Sequence, residues 1–448
     1  MTQTLSTTPS FHTPQELSGV IFLLGTLVLF ILLMGQLFEK LKWQRFMGEI
    51  FAGILVGPSI LGALIPQAFY DEYFSLHQGG NITHTVVTFL SYIGSSLLMF
   101  LAGTHTKRLL KKENRKKTFI IILTSVPLPI LTLIILHHFH LLPFDLAPLQ
   151  GPKSTQIGTI ILIGISVCIT SIPFISRLFM DLKIMDTPFA SFMLGLAVLE
   201  DILLWALLTF ATGVPLLDQV SLSQNSSSFP LIWNQIFHLF LTTLYTFLGL
   251  YLAPYFLTRL HAIKNNFLLT KSPIGYIFLV IFFFSALGIL LEINLIFSSF
   301  LAGYALVGGS RAPTWLAEKF KEPLTAISQV SYGFFIPLYF AFVGMKLNFS
   351  ASFSLILFGS YFFSSSLIKI ILNALGAWFA GFKGLTLLNL GFTANARGGP
   401  GIVLATFAYE SQLISGTFFT TLVLTAIFTG QIASWWLQMV MKKNLKLL

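Results

Sequence analysis

Apolar runs of about 20 residues follow one another along the whole chain, separated only by short loops. A helix of that length matches the hydrocarbon thickness of a bilayer. Within lipid each segment must satisfy its own backbone hydrogen bonds, which a helix does. Only 9% of the 448 residues are charged and 55% are hydrophobic, whereas a soluble domain carries about 25% charged residues. The chain therefore reads as an all-α polytopic membrane protein.

Thirteen spans are expected, at 18–38, 47–66, 84–104, 118–138, 157–179, 187–212, 230–258, 272–291, 293–309, 326–345, 353–381, 385–409 and 414–440. The loops support this division. Of the 26 Lys and Arg residues, all but four fall in alternate loops on one side, "HTKRLLKKENRKK" (105–117) among them. The opposite side holds only Lys153 and Lys346. The positive-inside rule then places the N-terminus outside and the C-terminus in the cytoplasm. The expected layout is an external tail over 1–17, a transmembrane domain over 18–440 with 230–258 as a linking helix, and a short cytoplasmic tail over 441–448. The net charge of +10 is dispersed over these loops, so it reports topology and no nucleic-acid partner is expected. The single cysteine, Cys168, excludes an internal disulfide and a Cys-based metal cluster, and no cofactor is expected.

Two spans carry helix breakers. In 157–179, Thr170, Ser171 and Pro173 interrupt the apolar pattern; in 385–409, Asn395, Arg397, Gly398, Gly399, Pro400 and Gly401 cluster in the middle. Such residues free backbone groups from the helix ladder, which lipid tolerates only where they line a cavity or bind something. The broken spans are seven apart and so cross the membrane in opposite directions. Interrupted helices at matching positions in two halves point to inverted repeats with a binding site at mid-membrane.

Four charges remain inside spans: Glu200, Asp201, Lys369 and Arg397. An ionised carboxylate at the bilayer centre costs at least ~2.5–3.5 kcal/mol. Glu200 and Asp201 point about 100° apart on a helix, so a division of labour is expected. Asp201 faces the ion path and Glu200 pairs with Lys369, which lies on a polar stripe with Ser365, Ser366 and Asn373. A carboxylate that holds either a proton or a cation, but not both, is a minimal exchanger. The bland alternative is that the four charges pair off and only staple the bundle. An intramembrane enzyme would need a nucleophile with its base, or paired metal carboxylates, and neither pattern is present.

Six segments, in order, resemble the monovalent cation/proton antiporters of the bacterial Na+/H+ and K+/H+ and plant cation/H+ branch. They are "GEIFAGILVGPSILG" (48–62), "LLMFLAGTHTK" (97–107), "CITSIPFISRLFMDLKIMDTPFA" (168–190), "LAVLEDILLWALL" (196–208), "FIPLYFAFVGMKLNF" (335–349) and "NARGGPGIVLATFAYESQLIS" (395–415). The resemblance implies two inverted repeats with two crossing broken helices, a mobile core and a dimerising scaffold. It further implies antiport of Na+ or K+ against H+ by alternating access, a homodimer, and a bacterial inner membrane. Asp201 matches the family's essential cation-binding carboxylate. Glu200 and Lys369 match its acid–lysine pair, Thr170 its polar residue near the ion, and Arg397 the arginine of the second broken helix; Ser171 is grouped with Thr170. Relatives carry Asp or Asn where this chain has Glu200. An acid with a lysine partner leans toward electrogenic exchange. The rival readings are an organic-anion symporter on the same fold, with Arg397 on the substrate, and a sensor that does not transport.

Weaker signals are the histidines of "LHHFH" (136–140), His12, His77 and His84, the "NIT" at 81–83, and Glu49 and Glu292 near helix ends. Gly53 and Gly57 form a small-xxx-small pair suited to close helix packing.

Overall fold

The computed structural model describes residues 14–41, 43–66, 69–70, 74, 82–105, 115–185, 187–222, 237, 240–263, 267–291, 293–307 and 314–448. His12, His77, Glu292, Asn81 of "NIT" and most of the 105–117 loop lie outside these residues. Among the described residues all regular structure is helical, and ten helices are long and apolar enough to cross a membrane. The three remaining expected spans coincide with helices that are interrupted, short or unusually long. The count of thirteen therefore exceeds the ten by those three.

The chain divides into two compact units, 1–94 with 332–348, and 95–331 with 349–448. The first unit contains α1 (Pro14–Lys40), α2 (Arg45–Val56), the start of α3 (Ile82–His105), and, from later in the chain, Ile336–Lys346. Leu23, Leu27 and Ile31 of α1 pack with Ala52 and Val56 of α2 and with Leu338, Ala341 and Phe342. Gly53 on α2 lies on the Ala341 carbonyl, and Gly344 in turn lies on the Ile50 carbonyl. A side chain at either position would overlap backbone, so these glycines set the helix spacing. Glu49 is paired with Arg45 at 3.2 Å.

The second unit contains the end of α3, then α4 (Arg115–Ser125), α5 (Pro127–His138), α6 (Gln156–Cys168), α7 (Ile172–Asp181) and α8 (Pro188–Leu222). After these come α9 (Phe240–Ala262), α10 (Pro273–Leu290), α11 (Leu295–Leu306) and α12 (Thr314–Val330). The segment Ile336–Lys346 of the first unit is α13. The chain then returns through α14 (Leu355–Phe379), α15 (Leu385–Ala394), α16 (Gly398–Glu410) and α17 (Gly416–Lys442). Helix α8 continues ten residues beyond the expected 212, through Pro215. The linking helix, expected over 230–258, is described from Phe240 and ends at Ala262. Two π-turns, Leu248–Leu252 and Ser331–Phe335, each precede a proline, Pro254 and Pro337. The wider turn accommodates the ring and missing N–H that a regular helix would reject.

Both broken spans are broken in the structure. The first stops at Cys168 and restarts at Ile172; the second stops at Ala394 and restarts at Gly398. Ser171 caps α7 by accepting from the Phe174 N–H, and Pro173 occupies the first turn, where its missing donor costs nothing. Gly398 opens α16 at φ +45°, in the left-handed region that glycine enters freely. Helix α14 packs along α15, α4, α17 and α6, which brings one long helix past both breaks.

Candidate functional site

The two breaks cross each other. The Ser171 N–H donates to the Ala396 carbonyl at 2.7 Å, joining the middle of one broken span to the middle of the other. Four half-helices therefore end at one place. Carbonyls at the C-terminal ends of α6 and α15 carry the negative ends of the helix dipoles there, and the N-termini of α7 and α16 carry the positive ends.

Side chains use these exposed groups. The Thr170 hydroxyl lies 2.7 Å from the Ala394 carbonyl and 2.6 Å from Glu200 Oε2, sharing one hydrogen between two acceptors. Lys369, projecting from α14, makes an ion pair with Glu200 Oε2 at 3.1 Å. Its ammonium also donates to the Cys168 carbonyl at 2.5 Å, the last of α6. Thr170, Glu200 and Lys369 are fully buried, so this is an ion pair in a dry site. There the Coulombic gain offsets desolvation only when further hydrogen bonds complete the geometry. Thr170 and the Cys168 carbonyl complete it.

Asp201, the next residue on α8, is handled differently. It is 2% exposed, and its Oδ2 is buried with no hydrogen-bond partner among the described residues. Glu200 Oε1 and Asn395 Oδ1, at the same crossover, also lack partners. Asp201 and Glu200 on α8 and Asn395 at the second break thus each carry a buried oxygen without a hydrogen-bond partner among the described residues, a hard donor of the kind that alkali cations take.

Arg397 caps α16 and is 2% exposed. It meets hydroxyls and no carboxylate among the described residues. Its Nη2 donates to Ser365 Oγ at 2.9 Å and its Nη1 to the Tyr361 hydroxyl at 3.3 Å, with the Tyr361 ring centroid 5.8 Å from the guanidinium carbon. Tyr361 also lies 2.6 Å from Ser166 Oγ. Sequence reading passed over Tyr361 and Ser166. Tyr361 is one turn before Ser365 and two before Lys369, so extending the polar stripe backward finds it.

Of the residues singled out in sequence, the structure brings together Thr170, Ser171, Glu200, Lys369, Asn395, Arg397 and Gly398. Gly398 sits close enough to Ser171 that a side chain there would press on its hydroxyl. Ser366 and Asn373 share the face of α14, with Ser366 Oγ and Asn373 Oδ1 lacking hydrogen-bond partners among the described residues. His137, His138 and His140 do not gather into a metal-binding group: no cluster of three or more His, Cys, Asp or Glu suited to a metal occurs among the described residues.

The chain is similar to known proteins along nearly its whole length. The family described as "Sodium/hydrogen exchanger, transmembrane" matches residues 26–443. The Na(+)/H(+) antiporter NhaS4 of Synechocystis is 26% identical over 411 residues, covering 90% of this chain and 92% of that one. The Na(+)/H(+)-K(+) antiporter GerN of Bacillus cereus is 26% identical over 413 residues, covering 92% and 93%. Among solved structures, the sodium proton antiporter MjNhaP1 of Methanocaldococcus jannaschii superposes with a TM-score of 0.52 at 14% identity, covering 94% of this chain and 96% of that one.

Proposed function

The chain belongs to the sodium/hydrogen exchanger family, and from that premise we propose that it exchanges a monovalent cation, Na+ or K+, for H+ by alternating access. The observation that carries this reading is the contrast between neighbouring carboxylates. Glu200 is held by Lys369 and Thr170, while Asp201 Oδ2 is buried without a hydrogen-bond partner among the described residues. A buried carboxylate in that position relieves its desolvation by taking up a proton or a cation. The two occupants exclude each other electrostatically, which couples their movements in opposite directions.

In this reading Asp201 carries the exchanged ion. Thr170, Ser171 and the backbone at the crossover complete the oxygen shell, and Glu200 with Lys369 sets the local charge. Arg397 with Pro173, Asn395, Gly398, Gly399 and Pro400 keeps the breaks open. The transport domain is 18–440, flanked by an external tail over 1–17 and a cytoplasmic tail over 441–448. The protein functions as a homodimer in a bacterial inner membrane, as a transporter and not an enzyme. The alternation of basic loops supports an external N-terminus and a cytoplasmic C-terminus. An organic-anion symporter is less well supported, because both terminal nitrogens of Arg397 are already engaged by Tyr361 and Ser365.

The test is proton flux in proteoliposomes. A pH gradient is imposed, Na+ or K+ is added in turn, and internal pH is followed by dye with and without a voltage clamp. A cation-evoked pH change that Asp201→Asn abolishes supports the assignment. Robust exchange by Asp201→Asn overturns the site, and no response to either cation with orientation verified overturns the function.

A further inference from the structure

The second break meets the first through the carbonyls of Ala394 and Ala396, at the end of α15. Their placement depends on how α15 itself is held. A helix of ten residues has little stability of its own. Asn389, in the middle of α15, is 0% exposed. Its side-chain oxygen accepts from the Trp436 indole N–H of α17 at 3.0 Å. Its amide nitrogen donates to the Lys446 and Leu447 carbonyls at 3.2 and 3.1 Å. An indole N–H only donates and a carbonyl only accepts, so these partners fix which way the amide faces. The Phe392 ring stacks on Trp436 with centroids 4.1 Å apart. α15 is therefore gripped both by α17 and by the segment that follows α17.

That segment reaches Asn389 because α17 ends in a chain reversal. The Leu445 N–H returns to the Val440 carbonyl at 3.1 Å, and the Asn444 N–H to the Met441 carbonyl at 3.0 Å. These are the paired bonds of a left-handed helix cap. Asn444 supplies the left-handed residue at φ +50°, a region that asparagine enters more readily than most side chains. Leu445, Lys446 and Leu448 are exposed, and the bonds to Asn389 come from the backbone of the segment.

We propose that residues 443–448 form a strap over α15, and that Asn389 is the positioning residue through which the strap sets the crossover for cation binding. The proposal rests on the exchange reading above. From Asn389 to Ala394 the helix rises about 7.5 Å as one rigid piece. A shift at Asn389 therefore moves the Ala394 carbonyl, which accepts from Thr170 at 2.7 Å, and the Ala396 carbonyl, which accepts from Ser171 at 2.7 Å.

A pair of variants at one exposed position separates the strap from packing. Asn444→Val places a β-branched side chain at φ +50° and opens the reversal, whereas Asn444→Gly keeps it. In proteoliposomes Asn444→Val is expected to raise KM for the activating cation, Na+ or K+, about threefold with the maximal rate largely intact, the equivalent of one neutral hydrogen bond. Asn444→Gly is expected to keep the wild-type KM. Asn389→Ala raises KM at least as much, and adding Asn444→Val to it changes little more, because both remove the same two bonds. Amide hydrogen exchange read by mass spectrometry needs no transport. The α15 amides are expected to exchange faster in Asn444→Val and at the wild-type rate in Asn444→Gly. Unchanged α15 exchange in Asn444→Val overturns the strap. Faster exchange with an unchanged KM overturns its link to the cation site, and so do effects of Asn389→Ala and Asn444→Val that simply add. If the wild type responds to neither Na+ nor K+, the exchange reading fails and that link falls with it, while hydrogen exchange still decides whether the strap holds α15.

Discussion

Lys369 and Arg397 are both buried, both charged, and both tied to α14, yet they are held by opposite means. Lys369 meets a carboxylate at 3.1 Å, and Arg397 meets a phenol and a serine. Removing one member of the first pair strands a charge, whereas removing Arg397 leaves only two neutral hydroxyl oxygens, of Tyr361 and Ser365, short of a donor. The lysine is thus fixed by its partner's charge and the arginine by the orientation of neutral groups. Lys369 is thus the cation that meets the acidic pair, and Asp201 Oδ2 keeps no hydrogen-bond partner among the described residues.

The largest expected effect comes from breaking the ion pair. Lys369→Met leaves Glu200 uncompensated in the interior, a loss of about 3–5 kcal/mol for a buried pair with one partner removed. Thermal melting in detergent should show a deep drop, against a shallower one for Arg397→Gln of about 1–3 kcal/mol, typical of unsatisfied neutral groups. Equal losses in the two variants would break the comparison. The double variant Lys369→Met with Glu200→Gln should recover much of the stability, since replacing a buried pair by neutral groups is often harmless. Failure to recover would mean that Lys369 stabilises chiefly through the Cys168 carbonyl.

The next effect concerns the breaks. Gly398→Ala forces a side chain into φ +45° and presses it on the Ser171 hydroxyl at 2.7 Å. Left-handed backbone costs a non-glycine residue about 1–2 kcal/mol, and the contact adds to that. The expected outcome is a moderate fall in melting temperature together with a larger loss of exchange rate, because the substitution shifts the crossover carrying Arg397. A loss of stability with no change in rate would show that α16 can tilt without disturbing the site.

Much of this arrangement was legible from sequence, for a physical reason. Charges, prolines and paired glycines are so costly inside an apolar run that each announces itself. Glu200, Lys369, Thr170 and the two broken spans stand out on that ground. The backbone acceptors did not. The carbonyls of Cys168, Ala394 and Ala396 hold the site together, and any residue type carries one. Tyr361 was hidden by composition, since 15% of the chain is aromatic and a tyrosine looks like one more packing residue. Its meaning lies in an oxygen whose partner, Arg397, is 36 residues away. Helix ends were the other weak point. The sixth span was expected to end at 212, but α8 runs on to Leu222.

The smallest effect is the sharpest test of what the arginine needs, because neighbouring serines on α14 serve as each other's control. Ser365 accepts from Arg397 Nη2 at 2.9 Å, whereas Ser366 Oγ is buried with no hydrogen-bond partner among the described residues. They differ by one residue and so face directions about 100° apart. Ser365→Ala removes an acceptor from a buried guanidinium and should cost roughly 1–2 kcal/mol. Ser366→Ala removes an unsatisfied hydroxyl and should be neutral or raise the melting temperature slightly. Opposite signs from two chemically identical changes would show that oriented hydroxyls, and not general polarity along α14, stand in for a counter-ion. If both serines tolerate alanine equally, the Tyr361 oxygen alone suffices to hold the guanidinium.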